Sequence, residues 1–325
     1  MSSYDGQTKA SDLVRELAPH IHGKTILITG ASSGLGATYV ETVIKSPRPP
    51  ARIILTVRDQ SKGQAQVKKW SYINSDVNLQ VISLDLARFK SVREAAKRVN
   101  ELEFAIDVLV NNAGVMAIPY EKTEDGNEMQ FQANHLGHFL FTNLILNKVL
   151  ESKSGGRIIN VSSDGYRLGH VRYSDHDFHN GKSYDKWMAY GQSKTAQLLF
   201  SEELARRYGS KGLQAFAVHP GVNMGTSLSR HVNEKEAETF FGSLTAIDQL
   251  QGHPQAWAGL KPVSPDQGVA TQVLLSFSQD FKDYNGDYFE GCQPLPKDEV
   301  YPWALGERES RKCWALSEKL VGERF

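Results

Sequence analysis

Lys24-Thr-Ile-Leu-Ile-Thr-Gly-Ala-Ser-Ser-Gly-Leu-Gly36 is the stretch on which the fold turns. Residues 24–29 form a short apolar, β-branched run, the pattern of a strand buried on both faces of a parallel sheet. Three glycines then follow with the spacing Gly-x-x-x-Gly-x-Gly. Gly30 permits a tight turn, Gly34 a close backbone approach, and Gly36 the packing of the next helix on the sheet. Ser32, Ser33 and Leu35 complete the turn. The amides at the start of that helix can hold a pyrophosphate. Three glycines by themselves also fit a plain strand–helix turn, and the second βα unit decides between the two.

That unit is Ala51-Arg-Ile-Ile-Leu-Thr-Val57, a strand ending about twenty residues beyond Gly36, where a carboxylate on the ribose 2′-hydroxyl marks an NAD enzyme. Val57 stands there instead, followed by Arg58, with Lys62 about one turn further on. A guanidinium grips a 2′-phosphate bidentately, so the pattern favours NADP(H). Asp59 beside it is the feature that argues the other way.

Further strands are expected at 79–85, 106–110, 157–162 and 213–219, with helices at 91–102 and 188–207 between them. Strict alternation implies an α/β fold, a single-domain doubly wound parallel sheet of the Rossmann type with helices on both faces. Ligands bind at the carboxyl ends of such strands, and the unusual motifs all sit at those ends.

Tyr190-Gly-Gln-Ser-Lys194 lies on the second helix, its Tyr and Lys four residues apart and so on one face. A cation roughly 5 Å away, at an effective dielectric of about 20, favours the phenolate by on the order of 3 kcal/mol, or about 2 pKa units. The expectation is a phenol brought down towards working pH as a general acid–base group.

With these residues laid out, the chain resembles the short-chain dehydrogenase/reductase family from about Gly23 to Gly291. The motifs stand in the family's order: Thr29-Gly-x-x-x-Gly-x-Gly36, Asn111-Asn-Ala-Gly114, Asn134, Ser162-Ser163 before Tyr190-x-x-x-Lys194, and Pro220-Gly221. The wording of Thr56-Val-Arg-Asp59, Asn134-His-Leu-Gly-His-Phe139 and His219-Pro-Gly-Val222 is similar to the retinol-dehydrogenase-like branch. The ending Trp314 to Phe325 resembles fungal members.

The resemblance implies a catalytic set of Asn134, Ser163, Tyr190 and Lys194. Tyr190 would move the hydroxyl proton, and Lys194 would hold the nicotinamide ribose. Ser163 would donate to the substrate oxygen as negative charge develops there. Asn134 would bend its helix and hold a water that relays protons to Lys194. It also implies cofactor contacts at Asp85 and Leu86, at Asn112, Ala113 and Gly114, and at Pro220, Gly221, Val222 and Thr226. Ser227 is the alternative to Thr226. Family members often pair through the helices carrying Asn134 and Tyr190, so a homodimer is expected unless the tail from Tyr301 to Phe325 covers that surface.

Lys plus Arg and Asp plus Glu number 37 each in the 325 residues, which gives no reason to propose a nucleic-acid partner. No apolar stretch reaches the roughly 18 residues of a membrane span, so no membrane anchor and a cytoplasmic location are expected. Two cysteines, Cys292 and Cys313, form no Cys-x-x-Cys pattern. No metal is expected: Asp175-His-Asp-Phe-His179 reads as a solvated loop, and His135 and His138 as packing residues. One domain is expected, with an N-terminal helix in 1–22, a substrate lid at 227–262 and a C-terminal extension at 292–325. The resemblance implies that the lid and the loop 165–186 build the substrate pocket, and Tyr166, Tyr173, Phe178, Trp187, Phe240, Phe241 and Trp257 are expected on its walls. The expected activity is NADPH-dependent reduction of a hydrophobic or aromatic ketone, or the reverse oxidation, in secondary metabolism. A retinal- or lipid-aldehyde-type reductase and a non-catalytic NADP(H)-binding regulator are the alternatives.

Overall fold

The computed structural model describes residues 4–223, 228, 232–250 and 262–325. Eight strands form one sheet: β1 (Thr25–Thr29), β2 (Arg52–Val57), β3 (Asn78–Ser83), β4 (Val108–Asn111), β5 (Arg157–Val161), β6 (Gln214–His219), β7 (Tyr288–Glu290) and β8 (Gln293–Pro294). Their order is β3-β2-β1-β4-β5-β6-β7-β8, parallel throughout except for β8. In chain order the helices are α1 (Ala10–Glu16), α2 (Ala18–Ile21), α3 (Gly34–Ile44), α4 (Gln60–Ser71), α5 (Phe89–Asn100) and the single turn α6 (Met129–Phe131). After them come α7 (Gly137–Leu150), α8 (Lys186–Tyr208), α9 (Glu234–Leu250), α10 (Pro265–Gly268), α11 (Ala270–Phe277) and α12 (Glu307–Val321).

Side chains of a strand point alternately to its two faces, and both faces here are covered. Ile26 and Ile28 join a core with α1, α3 and α11, whereas Leu27 joins the opposite core with α5, α7, α8 and α12. The chain reverses winding direction between β1 and β4, which opens a crevice at the carboxyl ends of those strands. The expected doubly wound sheet is therefore present.

Differences from the expectation lie at the margins. The N-terminal helix is two short ones, because Pro19 falls in the first turn of α2 and starts it anew. Leu13, Val14, Leu17 and Ile21 are nevertheless buried. Strands β7 and β8 are too brief to leave a periodic pattern. The C-terminal extension lays α12 along α8, with Trp314 edge-on to Phe139 at 4.9 Å between ring centres and Phe325 at 5.8 Å from the same ring. That is the face on which a homodimer was expected. Among the described residues no helix is long and apolar enough to cross a membrane.

Candidate active site

A cavity of about 540 Å³ occupies the crevice, within the ordinary range for small-molecule sites. One wall is the turn between β1 and α3. Gly30 and Gly34 adopt left-handed φ of 69° and 56°, and a β carbon on Gly30 would lie 2.9 Å from Ala113 Cα. Helix α3 opens at Gly34 with no side-chain cap from Ser33, so its first amides remain available to an anion. Gly36 is not on the wall; a β carbon there would meet the Gly30 carbonyl oxygen at 2.5 Å. It allows the helix to pack, as its spacing suggested.

Ser32, Ser33, Leu35, Asp85, Leu86, Asn112, Ala113, Gly114, Pro220, Gly221 and Val222 all lie on the cavity wall. Asn112 donates its side-chain amide to the Thr29 carbonyl at 2.9 Å, so it ties the end of β4 to the end of β1. Arg58 stands exposed at the end of β2 and lines the cavity. The neighbouring Asp59 is the N-cap of α4, accepting from the backbone N–H of Ser61 at 3.0 Å and of Lys62 at 3.2 Å. The Ser61 hydroxyl, which donates to the same oxygen at 2.6 Å, and then these backbone N–H groups hold its carboxyl below the usual range and turn it into the helix. Lys62 is exposed and off the wall. Thr226 and Ser227 lie outside the described residues.

Opposite the glycine turn, Tyr190 and Lys194 project from α8, with Lys194 Nζ 5.6 Å from the Tyr190 ring centre. Asp185 caps this helix through the N–H groups of Trp187 and Met188. Ser163 follows β5 and caps a 3₁₀ turn, its hydroxyl accepting from Gly165 N–H at 3.0 Å and hydrogen-bonded to Tyr190. Ser162 turns inward and donates to the Lys194 carbonyl at 2.9 Å, so the second serine faces the phenol. Gly165 makes this possible: a β carbon there would come 2.7 Å from Tyr190 Cε1. Nothing in the sequence pattern singled it out.

The electrostatics differ from the expected lysine-driven phenolate. Burial pushes the Tyr190 phenol up to about 12, against a smaller downward pull from the Ser163 hydrogen bond, and burial lowers Lys194 to about 8. The two side chains are 2% and 5% exposed, so losing water costs each charged form more than the 5.6 Å approach returns. Lys194 donates to the Val161 carbonyl at 2.9 Å.

Asn134 sits in a π-turn, Gln132–Leu136, between α6 and α7. Its side chain accepts from Val115 N–H at 2.8 Å and donates to the Val115 carbonyl and to Ser193 Oγ, each at 2.9 Å. A β carbon on Gly114 would lie 3.2 Å from Asn134 Oδ1 and 3.7 Å from Lys194 Nζ, so the three meet at one point.

The expected pocket aromatics divide. Trp187, Phe240 and Phe241 line the cavity, joined by Met116, Met129 and Val232. Tyr166 and Phe178 are buried in the core, and Tyr173 donates to the Glu309 carbonyl of the C-terminal extension. Trp257 lies outside the described residues. The loop 165–186 contributes nothing to the wall, because its polar groups are used in folding back on α8, as when Gln192 accepts from Arg172 N–H at 2.9 Å. In its Asp175–His179 stretch, Asp175 is paired with Arg172 and caps His179 N–H. Among the described residues, Asp164, His219 and Glu290 come together beside Ser163. Arg167, 3.6 Å from Asp164, already supplies a cation there.

Comparison with known proteins agrees with this geometry. A family profile described as short chain dehydrogenase matches residues 24–176. The chain is 38% identical to retinol dehydrogenase 14 of Mus musculus over 313 residues, covering 93% of this chain and 87% of that protein. Against retinol dehydrogenase 13 of Homo sapiens the figures are 40% over 304 residues, 93% and 86%. Among solved structures, an uncharacterized protein from Mycobacterium Paratuberculosis superposes with a TM-score of 0.67 at 29% identity, covering 98% of this chain and 99% of that one.

Proposed function

The chain belongs to the short-chain dehydrogenase/reductase family, on its retinol-dehydrogenase-like branch, and from that premise we propose that it is an NADPH-dependent reductase of hydrophobic carbonyl compounds. The observation that carries this reading is one cavity with Arg58 at one end and Tyr190, Ser163 and Lys194 at the other.

The residues suit the cofactor. The uncapped start of α3 would receive the pyrophosphate, Arg58 the 2′-phosphate, and Lys194 the nicotinamide ribose. Asp59 offers no competing carboxylate, because it is engaged as a helix cap. NADPH held there supplies the hydride. Tyr190, protonated up to about 12, gives the substrate oxygen its proton, while Ser163 donates a hydrogen bond to the same atom. A phenol that keeps its proton through neutral pH is in the form that the general acid of reduction requires. Trp187, Met116, Met129, Phe240 and Phe241 present apolar surface to the rest of the substrate. The relatives' names favour a retinoid or another long apolar aldehyde as the second reading, with the same residues in the same roles.

The test is kinetic. NADPH should bind at least about tenfold more tightly than NADH, the preference should vanish in Arg58→Ala, and Tyr190→Phe should lose about 10²- to 10⁴-fold in turnover with NADPH affinity kept. Equal affinities for the two cofactors would overturn the cofactor assignment, and an active Tyr190→Phe the mechanism.

A further inference from the structure

His138, a buried ring one turn beyond Asn134, is used by none of the steps above. Its Nδ1 lies 2.8 Å from the Asn134 carbonyl oxygen and its Nε2 lies 2.8 Å from Thr29 Oγ1. Thr29 Oγ1 already accepts two backbone N–H groups, from Asn112 at 2.9 Å and Ala113 at 3.0 Å. Its single proton therefore goes to His138 Nε2, which must be bare. The ring proton is then on Nδ1, and Nδ1 donates to the Asn134 carbonyl. The hydrogen-bond arithmetic admits one neutral tautomer.

We propose that His138 is a positioning residue: locked as the Nδ1–H tautomer, it braces the Asn134 carbonyl against the Thr29 hydroxyl and so sets the π-turn beside Lys194. The bridge runs from the end of β1, where the glycine turn begins, to the turn that carries Asn134. Gln197 of α8 donates to the same carbonyl, its amide nitrogen 3.5 Å from His138 Nδ1. The charged or titratable groups that act on the ring are Lys194 of α8 and His135 of the π-turn, and burial together with Lys194 lowers it to about 4. It stays neutral at every pH at which the enzyme would work. His135 plays a different part, with Nε2 2.7 Å from Ser317 Oγ of α12. The inference rests on the carbonyl-reductase reading, in which Asn134 supports proton delivery at Lys194.

The experiment has two arms. In the first, reduction of all-trans-retinal and of benzaldehyde by NADPH is followed across pH for His138→Leu and His138→Asn. His138→Leu should lose on the order of 10- to 100-fold in kcat, the scale of a displaced catalytic group, with KM for NADPH nearly unchanged and a shifted pH profile. His138→Asn keeps a donor and should recover part of the loss. A His138→Leu enzyme with the parent kcat and pH profile would overturn the proposal. In the second arm, ¹⁵N spectra of the unsubstituted protein between about pH 5 and 8 should show His138 as a non-titrating Nδ1–H ring. An Nε2–H ring, or one titrating near its ordinary value, would also overturn it. This arm decides the matter if His138→Leu does not fold. If no carbonyl is reduced by the unsubstituted protein, the functional reading fails while the spectra still judge the bridge.

Discussion

Burial, at the level of single residues, decides more of the site's chemistry than neighbouring charge does. Tyr190 and Lys194 are four apart on one helix, as their spacing requires, yet both shift towards their neutral forms. The sequence identifies the residue types; only burial sets the balance between desolvation and attraction. This makes Lys194 a test of linkage. Its folded pKa of about 8 is below the ordinary lysine value, so between about 8 and 10.5 the unfolded chain holds more protons and stability rises with pH. The cost of the buried ammonium is therefore full below about pH 8. Lys194→Met should raise the unfolding free energy at pH 7 by about 1–3 kcal/mol while abolishing turnover, and the gain should shrink as pH climbs past 8. Thermal unfolding at pH 7 and pH 10 would show it, and a variant less stable than the parent at pH 7 would contradict it. Ser163, Asn134 and the glycine turn were legible because their motifs carry the geometry with them. Gly165 was not, since the need for it arises from a ring 25 residues further along the chain.

Among the elements, α12 and the π-turn are two that periodicity did not supply. Trp314 is 2% exposed, stacks under the Arg207 guanidinium at 4.1 Å and meets Phe139 and Phe200 edge-on or tilted. The tail from Tyr301 to Phe325 was expected to cover the α7–α8 surface or brace the lid; the structure shows it doing the first, as a helix packed on α8. Trp314→Ala should cost about 3–5 kcal/mol, the usual loss for a buried tryptophan, read as a lower midpoint in urea. A loss under 1 kcal/mol would mean that α12 is only loosely attached. The turn at Asn134 illustrates the limit differently. The wide turn at residues 132–136 is held by contacts from Val115, Ser193 and Ser317 and by the His138 bridge to Thr29. The loop 165–186 was expected at the pocket because the resembled family builds its substrate pocket there. Its side chains fold back on α8 instead, where they satisfy their own hydrogen bonds.

Across the whole molecule, the C-terminal extension changes what the α7–α8 surface can do. Phe139, Phe200 and Leu204, which would otherwise seek a partner, are covered by Trp314, Leu316 and Phe325 of the same chain. Sedimentation equilibrium at micromolar concentration should therefore find a single copy. A dimer joined through α7 and α8 would show that the tail is displaced on assembly. What the sequence by itself determined is the first six strands of the sheet, the glycine turn after β1 and the placing of Tyr190 and Lys194 on one helix face. These rest on local rules: strand and helix periods, glycine's freedom at positive φ, and the i to i+4 spacing. What only the tertiary structure decided is that residue 165 must be a glycine beneath the Tyr190 ring, that three of the six described aromatics flagged for the pocket line the cavity, and that the tail closes the outer face. Each of these depends on which distant groups compete for one hydrogen bond or one patch of apolar surface, and that competition is settled only when the chain is packed.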